Sequence, residues 1–97
     1  MATYIILINY TDQGIRNIKD SPKRLDAAKK MLKTMGGEIK DFYLTMGSYD
    51  IAIVAEAPSD DVIAKFSLAS GSLGNIRTTT LKAFPEGEYR KIIAALP

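Results

Sequence analysis

Thr3-Tyr4-Ile5-Ile6-Leu7-Ile8-Asn9 is the most strongly patterned stretch of this 97-residue chain. Its residues are mostly β-branched or aromatic and are followed by polar residues, so the stretch predicts a first β-strand over residues 3–9. Tyr4, Ile6 and Ile8 would share one face of that strand, and Ile5 and Leu7 the other. A strand that is apolar on both faces is typical of the centre of a sheet with both faces covered.

The helical segments are marked by spacing and by capping residues. Residues 11–19 predict a short helix, and Ser21-Pro22 supplies an N-cap and a favoured first residue for a second, amphipathic piece that ends at Gly36-Gly37. Its predicted apolar stripe is Leu25, Ala28, Leu32 and Met35. Ser59 predicts the N-cap of a later helix that runs to Gly74, with Val62, Phe66, Ala69 and Leu73 as its buried stripe.

Three more strands are predicted over residues 38–46, 51–57 and 75–84. The first of these alternates between apolar and polar residues, which is typical of an edge strand, and the turn at residues 47–50 returns the chain as a hairpin. The order βαββαβ predicts an α+β, ferredoxin-like domain: a four-stranded antiparallel sheet in the order 4-1-3-2 with two helices on one face. Residues 1–97 form one domain, in which residues 86–97 are a C-terminal tail or short amphipathic helix.

The central strands also predict self-association. Ile51, Ile53 and Ala55 lie opposite Ala52 and Val54, so the third strand, like the first, is apolar on both faces. An open apolar face is an aggregation liability in a monomer, and a second copy of the chain would cover it. The alternative is that the C-terminal tail folds over this face within one chain.

Composition excludes several classes of function. The 13 basic and 11 acidic residues nearly balance, and the chain contains neither Cys nor His. Disulfides, thiolate nucleophiles and the commonest general base are therefore excluded, and no metal-ligand spacing or cofactor motif is present. We expect no nucleic-acid binding, since the basic residues between Lys19 and Lys33 are typical of a solvated helix face, and we expect a cytoplasmic protein without membrane insertion.

The strand order predicts that several loops meet at one rim of the sheet. There we expect the candidate ligand-binding residues Asn9, Tyr10, Tyr49, Asp50 and Arg77. Asp50 could accept hydrogen bonds or act as a base, the tyrosines could donate hydrogen bonds or stack, and Arg77 could hold an anion. The structural alternative is that Asp50 caps backbone N–H groups, Gly47 serves backbone geometry, and Tyr49 packs on a neighbour.

Two stretches resemble the bacterial GYD domain family: Tyr4 to Thr11 followed by Gly14-Ile15, and Met46-Gly47-Ser48-Tyr49-Asp50-Ile51 leading to Glu56-Ala57-Pro58. The family's motif would be carried by Gly47, Tyr49 and Asp50. The resemblance spans nearly the whole chain and implies a dimeric α+β barrel, similar to small monooxygenases, muconolactone isomerases and Lrp-type sensing domains. It implies no settled activity, because proteins of one fold differ in chemistry.

Two functions remain open at this point. The first is a small-molecule-binding or interaction module, a homodimer or larger homo-oligomer that holds a small apolar or aromatic ligand between sheet and helices or between protomers. The second is a cofactor-independent enzyme, monooxygenase-like or isomerase-like, in which residues of the rim position a small aromatic substrate. Asp50 would then need a raised pKa to serve as a base.

Overall fold

The computed structural model describes all 97 residues. The strands are β1 (Ala2–Tyr10), β2 (Glu38–Leu44), β3 (Ile51–Ala57) and β4 (Ile76–Ala83). The helices are α1 (Asp12–Arg16), α2 (Ser21–Thr34), α3 (Asp60–Ser72) and α4 (Glu86–Ala94), and a 3-10 turn (Ile18–Asp20) joins α1 to α2.

The strands form one antiparallel sheet in the order β2-β3-β1-β4. This is the predicted order 4-1-3-2 read from the other edge, so the predicted topology is confirmed. β1 lies in the centre and pairs Ile6 with Ile53 of β3 on one side and with Thr80 of β4 on the other. β2 is an edge strand, as its alternation predicts, and a bulge interrupts its register between Ile39 and Asp41.

The core lies between the sheet and helices α2 and α3. Every second residue of β1 and β3 is buried, in register with the pleat. Leu32 of α2 and Phe66 of α3 cover these side chains, and the buried cluster consists of Tyr4, Ile6, Ile8, Leu32, Ile51, Ile53, Ala55, Ala57, Ile63 and Phe66. α2 and α3 therefore lie on the same face of the sheet.

Three local predictions from the sequence are wrong. Ser21 is the first residue of α2 and not its N-cap, because the 3-10 turn continues directly into the helix and leaves Ser21 with helical dihedral angles. Met46 lies beyond the end of β2 and is fully exposed. The buried stripe of α3 is Ile63, Phe66 and Ser70, while Ala69 and Leu73 are exposed.

The opposite face of the sheet has no helix over it. Ile5, Leu7 and Val54 lie there and remain partly exposed, and Leu81, which pairs with Ile5, is exposed. All residues from 84 to 97 are exposed, including α4, so the C-terminal tail does not cover this face within one chain. No helix is long and apolar enough to span a bilayer.

Candidate functional site

Asp50 joins two strands at the rim of the sheet where β1 ends and β3 begins. Its Oδ2 accepts a hydrogen bond from the backbone N–H of Tyr10 at 2.9 Å, and its own N–H donates to the carbonyl of Ile8 at 2.9 Å. The carboxylate thus extends the β1–β3 ladder by one bond beyond the last backbone pair. A carboxylate that accepts a hydrogen bond from a backbone N–H in this way serves as a cap.

The turn that carries Asp50 is closed by Thr45. The Thr45 N–H donates to the Asp50 carbonyl at 2.8 Å, and its hydroxyl donates to the carbonyl of the half-buried Tyr49 at 2.6 Å. Gly47 has φ +123, a conformation that side chains with a Cβ rarely adopt, although a Cβ there would meet no atom within 4 Å. Glycine is therefore required by the backbone of this turn, and no close neighbour requires it.

The other predicted residues of the rim lie on both sides of β1. Asn9 pairs with Arg77 across β1 and β4 on the open face, and the Arg77 side chain is exposed. Tyr10 is half-buried, and its hydroxyl lies 2.9 Å from the Ser21 hydroxyl. Asn9 and Arg77 are thus brought together on the open face, whereas the hydroxyl of Tyr10 is directed to α2 on the covered face.

The loop before β4 is tied closely to α1. Thr11 caps α1 by accepting from the Gly14 N–H at 3.1 Å, and its hydroxyl donates to the Gly74 carbonyl at 2.5 Å. A Cβ at Gly14 would lie 2.0 Å from the Asn75 carbonyl oxygen, so only glycine fits at this approach. These contacts fix the position of Asn75, which borders a cavity.

That cavity lies between α2, α3 and the sheet and has a volume of about 140 Å³. Its surface is almost wholly apolar, although the polar residues Arg24, Ser70, Asn75 and Thr78 also border it. It opens to solvent beside Ala27 and Leu73, the exposed members of its lining. Small side chains on α2, Ala27 and Ala28, leave the space unfilled.

Two polar side chains that border this cavity have hydrogen-bonding groups without a partner in the protein. The Ser70 hydroxyl is buried and has no hydrogen-bond partner. The half-buried Arg24 donates from Nη1 to the Asn17 carbonyl at 3.0 Å and from Nη2 to the Gly14 carbonyl at 3.4 Å, but it pairs with no carboxylate. A guanidinium has five N–H donors, so donors remain for an anion.

The sequence allows for a pocket between sheet and helices but does not identify Arg24 and Ser70 in its lining, because it assigns the wrong residues to the buried stripe of α3. The spacing Ile63, Phe66, Ser70 follows the i, i+3, i+7 rule as well as the predicted set, but it places a hydroxyl among apolar residues. Arg24 was grouped with the solvated basic residues of α2. Arg24 is half-buried and donates to the carbonyls of Gly14 in α1 and of Asn17 at its C-cap. The helical spacing of residues in α2 gives no indication of these contacts.

A further polar cluster lies at the start of α3. The buried Tyr4 donates a hydrogen bond from its hydroxyl to Asp60, and Lys82 lies 3.2 Å from the Asp60 Oδ1. Burial, together with this hydrogen bond and the negative charge of Asp60, raises the pKa of Tyr4 to about 12. The same hydrogen bond, assisted by Lys82, lowers the pKa of Asp60.

No group of three or more His, Cys, Asp or Glu side chains is close enough to hold a metal ion. Apart from the cluster of Tyr4, Asp60 and Lys82, the polar groups described above are single donors and acceptors. The arrangement is suited to binding, because it offers an apolar cavity with a few oriented polar groups and an open apolar face.

A curated protein is similar to this chain over most of its length. The glutamine synthetase and cystathionine beta-lyase binding protein of Thermus thermophilus is 31% identical over 86 residues, which are 88% of this chain and 90% of that protein. By its name this relative is a binding protein.

Solved structures show the same fold at low identity. The feast or famine regulatory protein of Mycobacterium tuberculosis, in complex with L-methionine, is similar with a TM-score of 0.66 at 15% identity over 87% of this chain. The chain spans 50% of that regulator's length. A protein of known structure from Thermus thermophilus matches over 87% of this chain and 94% of its own, with a TM-score of 0.56 and 21% identity.

The family is shown by a match that is nearly complete. The profile of the GYD domain matches residues 4–93, from the second residue of the predicted first strand into α4. Both stretches that carry the resemblance lie inside this range, as does the turn with Gly47, Tyr49 and Asp50. This chain belongs to the GYD domain family.

Proposed function

We propose that this protein is a binding module without catalytic activity, a homo-oligomer joined through the open face of its sheet. The observation that carries the proposal is the apolar centre of that face. Ile5, Leu7 and Val54 occupy the positions where a sheet exposed to water normally carries polar side chains. A second copy presents the same surface, so a two-fold arrangement can bury both at once.

The groove on the open face supports this arrangement. It is lined by apolar and charged residues of both signs: Thr3, Ile5, Lys40, Asp41, Val54, Glu56, Ala83, Phe84 and Pro85. Lys40 lies 3.9 Å from Glu56 within the chain, and both remain near enough to solvent to exchange partners across an interface. Mixed charges around an apolar centre are what a self-complementary surface requires.

The C-terminal helix adds a second apolar surface to the same region. α4 leaves the sheet at Phe84 and Pro85, which line the groove. Tyr89, Ile92 and Ile93 form a stripe at helical spacing, and all three are exposed. We propose that this stripe packs against the second copy, which would bury residues that are exposed to solvent in a single chain.

We propose a further protein partner, other than a second copy of the chain, from the name of the Thermus relative. That protein is named for binding glutamine synthetase and cystathionine beta-lyase, and it shares 31% of its residues with this chain over 90% of its length. We propose that this protein likewise binds an enzyme of amino-acid metabolism. A small apolar or aromatic ligand is the second proposed partner, supported by the cavity of about 140 Å³ beneath α2 and α3.

Leu7→Glu tests self-association. A carboxylate in the centre of the open face would be buried without a partner in the oligomer, so sedimentation velocity should show an oligomer for the parent protein and a monomer for the variant. Ala64→Glu is the matched control, because residue 64 is exposed on α3 away from that face. A monomeric parent protein at tens of micromolar contradicts the proposal.

Enzyme binding is tested separately by biolayer interferometry with glutamine synthetase and cystathionine beta-lyase from the same organism. Saturable binding of either enzyme supports the proposed partner class. Binding of neither enzyme, by a protein that is still oligomeric, rejects the partner class and leaves self-association standing.

A further inference from the structure

We infer that the second copy of the chain stacks on the open face with its strands nearly perpendicular to those of the first, and that Asp41 of each copy pairs with Arg77 of the other. The inference rests on the proposed self-association and specifies its geometry. It combines three observations. Both side chains lie on the open face, neither has an ion-pair partner within the chain, and the two occupy diagonally opposite parts of the sheet.

Asp41 and Arg77 belong to the two edge strands and lie on the same face of the sheet. Asp41 of β2 pairs with Val54 of β3 and borders the groove of the open face. Arg77 of β4 lies between Ile76 and Thr78, which border the cavity on the covered face, so its side chain points to the open face. Both residues are exposed in a single chain.

Neither of these two charges is paired within the chain. The ion pairs of the chain join Lys40 to Glu38 and Glu56, Lys82 to Asp60, and Arg90 to Glu86. Asp41 and Arg77 belong to none of these pairs. A charge that is removed from water without a counter-charge destabilises an interface. The favoured orientation of the second copy is therefore one that brings an opposite charge to each residue.

The register of the sheet keeps the two residues apart within one chain. The row of Asp41 crosses β1 at Ile5, and the row of Arg77 crosses it at Asn9. Three strand spacings of about 4.8 Å and four residues of about 3.4 Å therefore separate the two Cα positions, which lie roughly 20 Å apart on a line at about 45° to the strands. The midpoint of that line lies beside Leu7, at the apolar centre of the face.

A two-fold axis that exchanges the two positions fixes the orientation of the second copy. Such an axis lies in the plane of the interface, perpendicular to the line between Asp41 and Arg77, and so also at about 45° to the strands. Rotation about it makes the strands of the two copies cross at about 90°, which is one of the two common arrangements of packed sheets. The pair then forms twice, and Leu81, which is 47% exposed in one chain, lies against its own copy.

The other two-fold orientations about the apolar centre leave the charges unmatched. An axis parallel to the strands places Asp41 over Leu81 of the second copy, and an axis in the plane perpendicular to the strands places it over Tyr43. The remaining diagonal axis brings the two copies of Arg77 together, and like charges repel. Charge complementarity therefore selects the diagonal axis that joins Asp41 to Arg77.

Chemical cross-linking tests the geometry directly, because the chain contains no cysteine. The double variant Asp41→Cys/Arg77→Cys should form a covalent dimer with a bismaleimide whose spacer is about 8 Å, since packed sheets lie about 10 Å apart. Each single variant is the matched control and should stay monomeric on a denaturing gel, because its two cysteines would be roughly 20 Å or more apart.

Exchange of the two charges tests the ion pair. Arg77→Asp and Asp41→Arg should each weaken association at least about tenfold by bringing like charges together, and the double variant should recover the parent affinity within about threefold. Lys65→Asp makes the same change of charge at an exposed lysine of α3 and should have little effect. Sedimentation velocity over a range of protein concentrations measures all four variants.

Two results overturn the inference: losses of affinity that add up in the charge-exchanged double variant, or a cysteine double variant that is not cross-linked where the parent protein is oligomeric. Either result rejects only the orientation and leaves self-association through the open face standing. A parent protein that is monomeric at tens of micromolar rejects both proposals.

Discussion

The two faces of the sheet have similar apolar residues at the centre, but helices of the same chain cover only one of them. On the covered face, Ile6 is 1% exposed and Ile53 is 4% exposed beneath α2 and α3. On the open face, their neighbours Ile5 and Val54 are partly exposed, with no element of the same chain above them. Similar residues in adjacent positions therefore serve folding on one side and remain available for association on the other.

The difference shows what strand alternation can and cannot specify. The period of two fixes which residues share a face, because successive side chains point to opposite sides. It does not specify what covers each face, since a helix of the same chain and a second copy remove water from apolar surface equally well. Comparing one substitution on each face separates the two cases.

Ile6→Ala should have the largest effect on folding. Removing a buried isoleucine side chain costs about 2–5 kcal/mol of unfolding free energy, through lost burial and the cavity left behind. Because the contact is within one chain, the loss should be the same at all protein concentrations. Urea unfolding followed by circular dichroism at 1 and 100 μM or so measures it.

Ile5→Ala is the matched substitution on the open face. The side chain is only partly buried in one chain, so the loss should be smaller at low concentration and should grow where the oligomer forms. Equal, concentration-independent losses for the two variants would mean that the open face is not an association surface.

Much of the fold could be predicted because its determinants are local. The apolar run of β1, the turn at Gly47 and the cap at Ser59 each act within a few residues, and together they limit the possible strand orders. The helix-covered side of β1 could not be assigned by composition alone, since Ile6 and Leu7 are equally apolar. It follows from the topology, which places both helices on one side.

The site was harder to predict because its geometry depends on contacts distant in sequence. The meeting of the rim loops follows from strand order, yet nothing in the residue types shows that Asp50 bonds to the Tyr10 N–H. Arg24 and Ser70 are 46 positions apart and come together only when α2 and α3 pack on the sheet. Their local patterns, a basic helix and a polar residue near a helix end, are those of ordinary surface residues.

Asp50 lies at the rim that both faces share, and its substitution tests what holds that rim. Asp50→Ala leaves the Tyr10 N–H without its acceptor and should cost about 1–3 kcal/mol of unfolding free energy. Asp50→Asn keeps a side-chain oxygen in place, so its unfolding free energy should fall by only about a few tenths of a kcal/mol. Thermal and urea unfolding compare the two variants.

An equal loss for Asp50→Asn and Asp50→Ala would show that the charge of the carboxylate matters more than its role as an acceptor. Asp50 would then be restored as a candidate for chemistry at the rim. The expected order, with asparagine close to the parent protein, assigns it to the backbone of β1 and β3.

Tyr4 gives the smallest effect, and it appears only at high pH. Its pKa rises from 10.0 to about 12 in the folded protein, so the unfolded chain releases the phenolic proton first. A group with a raised pKa contributes its full stabilisation below the unfolded pKa and loses it as the pH rises through the folded value. The parent protein should therefore lose stability between pH 10 and about 12.

Tyr4→Phe should remove that part of the alkaline loss, which we expect to be roughly 1 kcal/mol. The full value of about 1.4 kcal/mol per pKa unit is not reached, because the Asp60 partner is exposed and screened by water. The lowered pKa of Asp60 acts at the other end of the scale, where its contribution is present above the unfolded pKa of 3.8 and is lost as the pH falls. Unfolding free energies at pH 8, 10 and 11 or so follow the contribution of Tyr4, and those at pH 6, 4 and 3 or so follow the contribution of Asp60, which Asp60→Asn should remove. If the parent protein and Tyr4→Phe decline in parallel above pH 10, the other tyrosines cause the loss, and the hydrogen bond between Tyr4 and α3 contributes nothing that titrates.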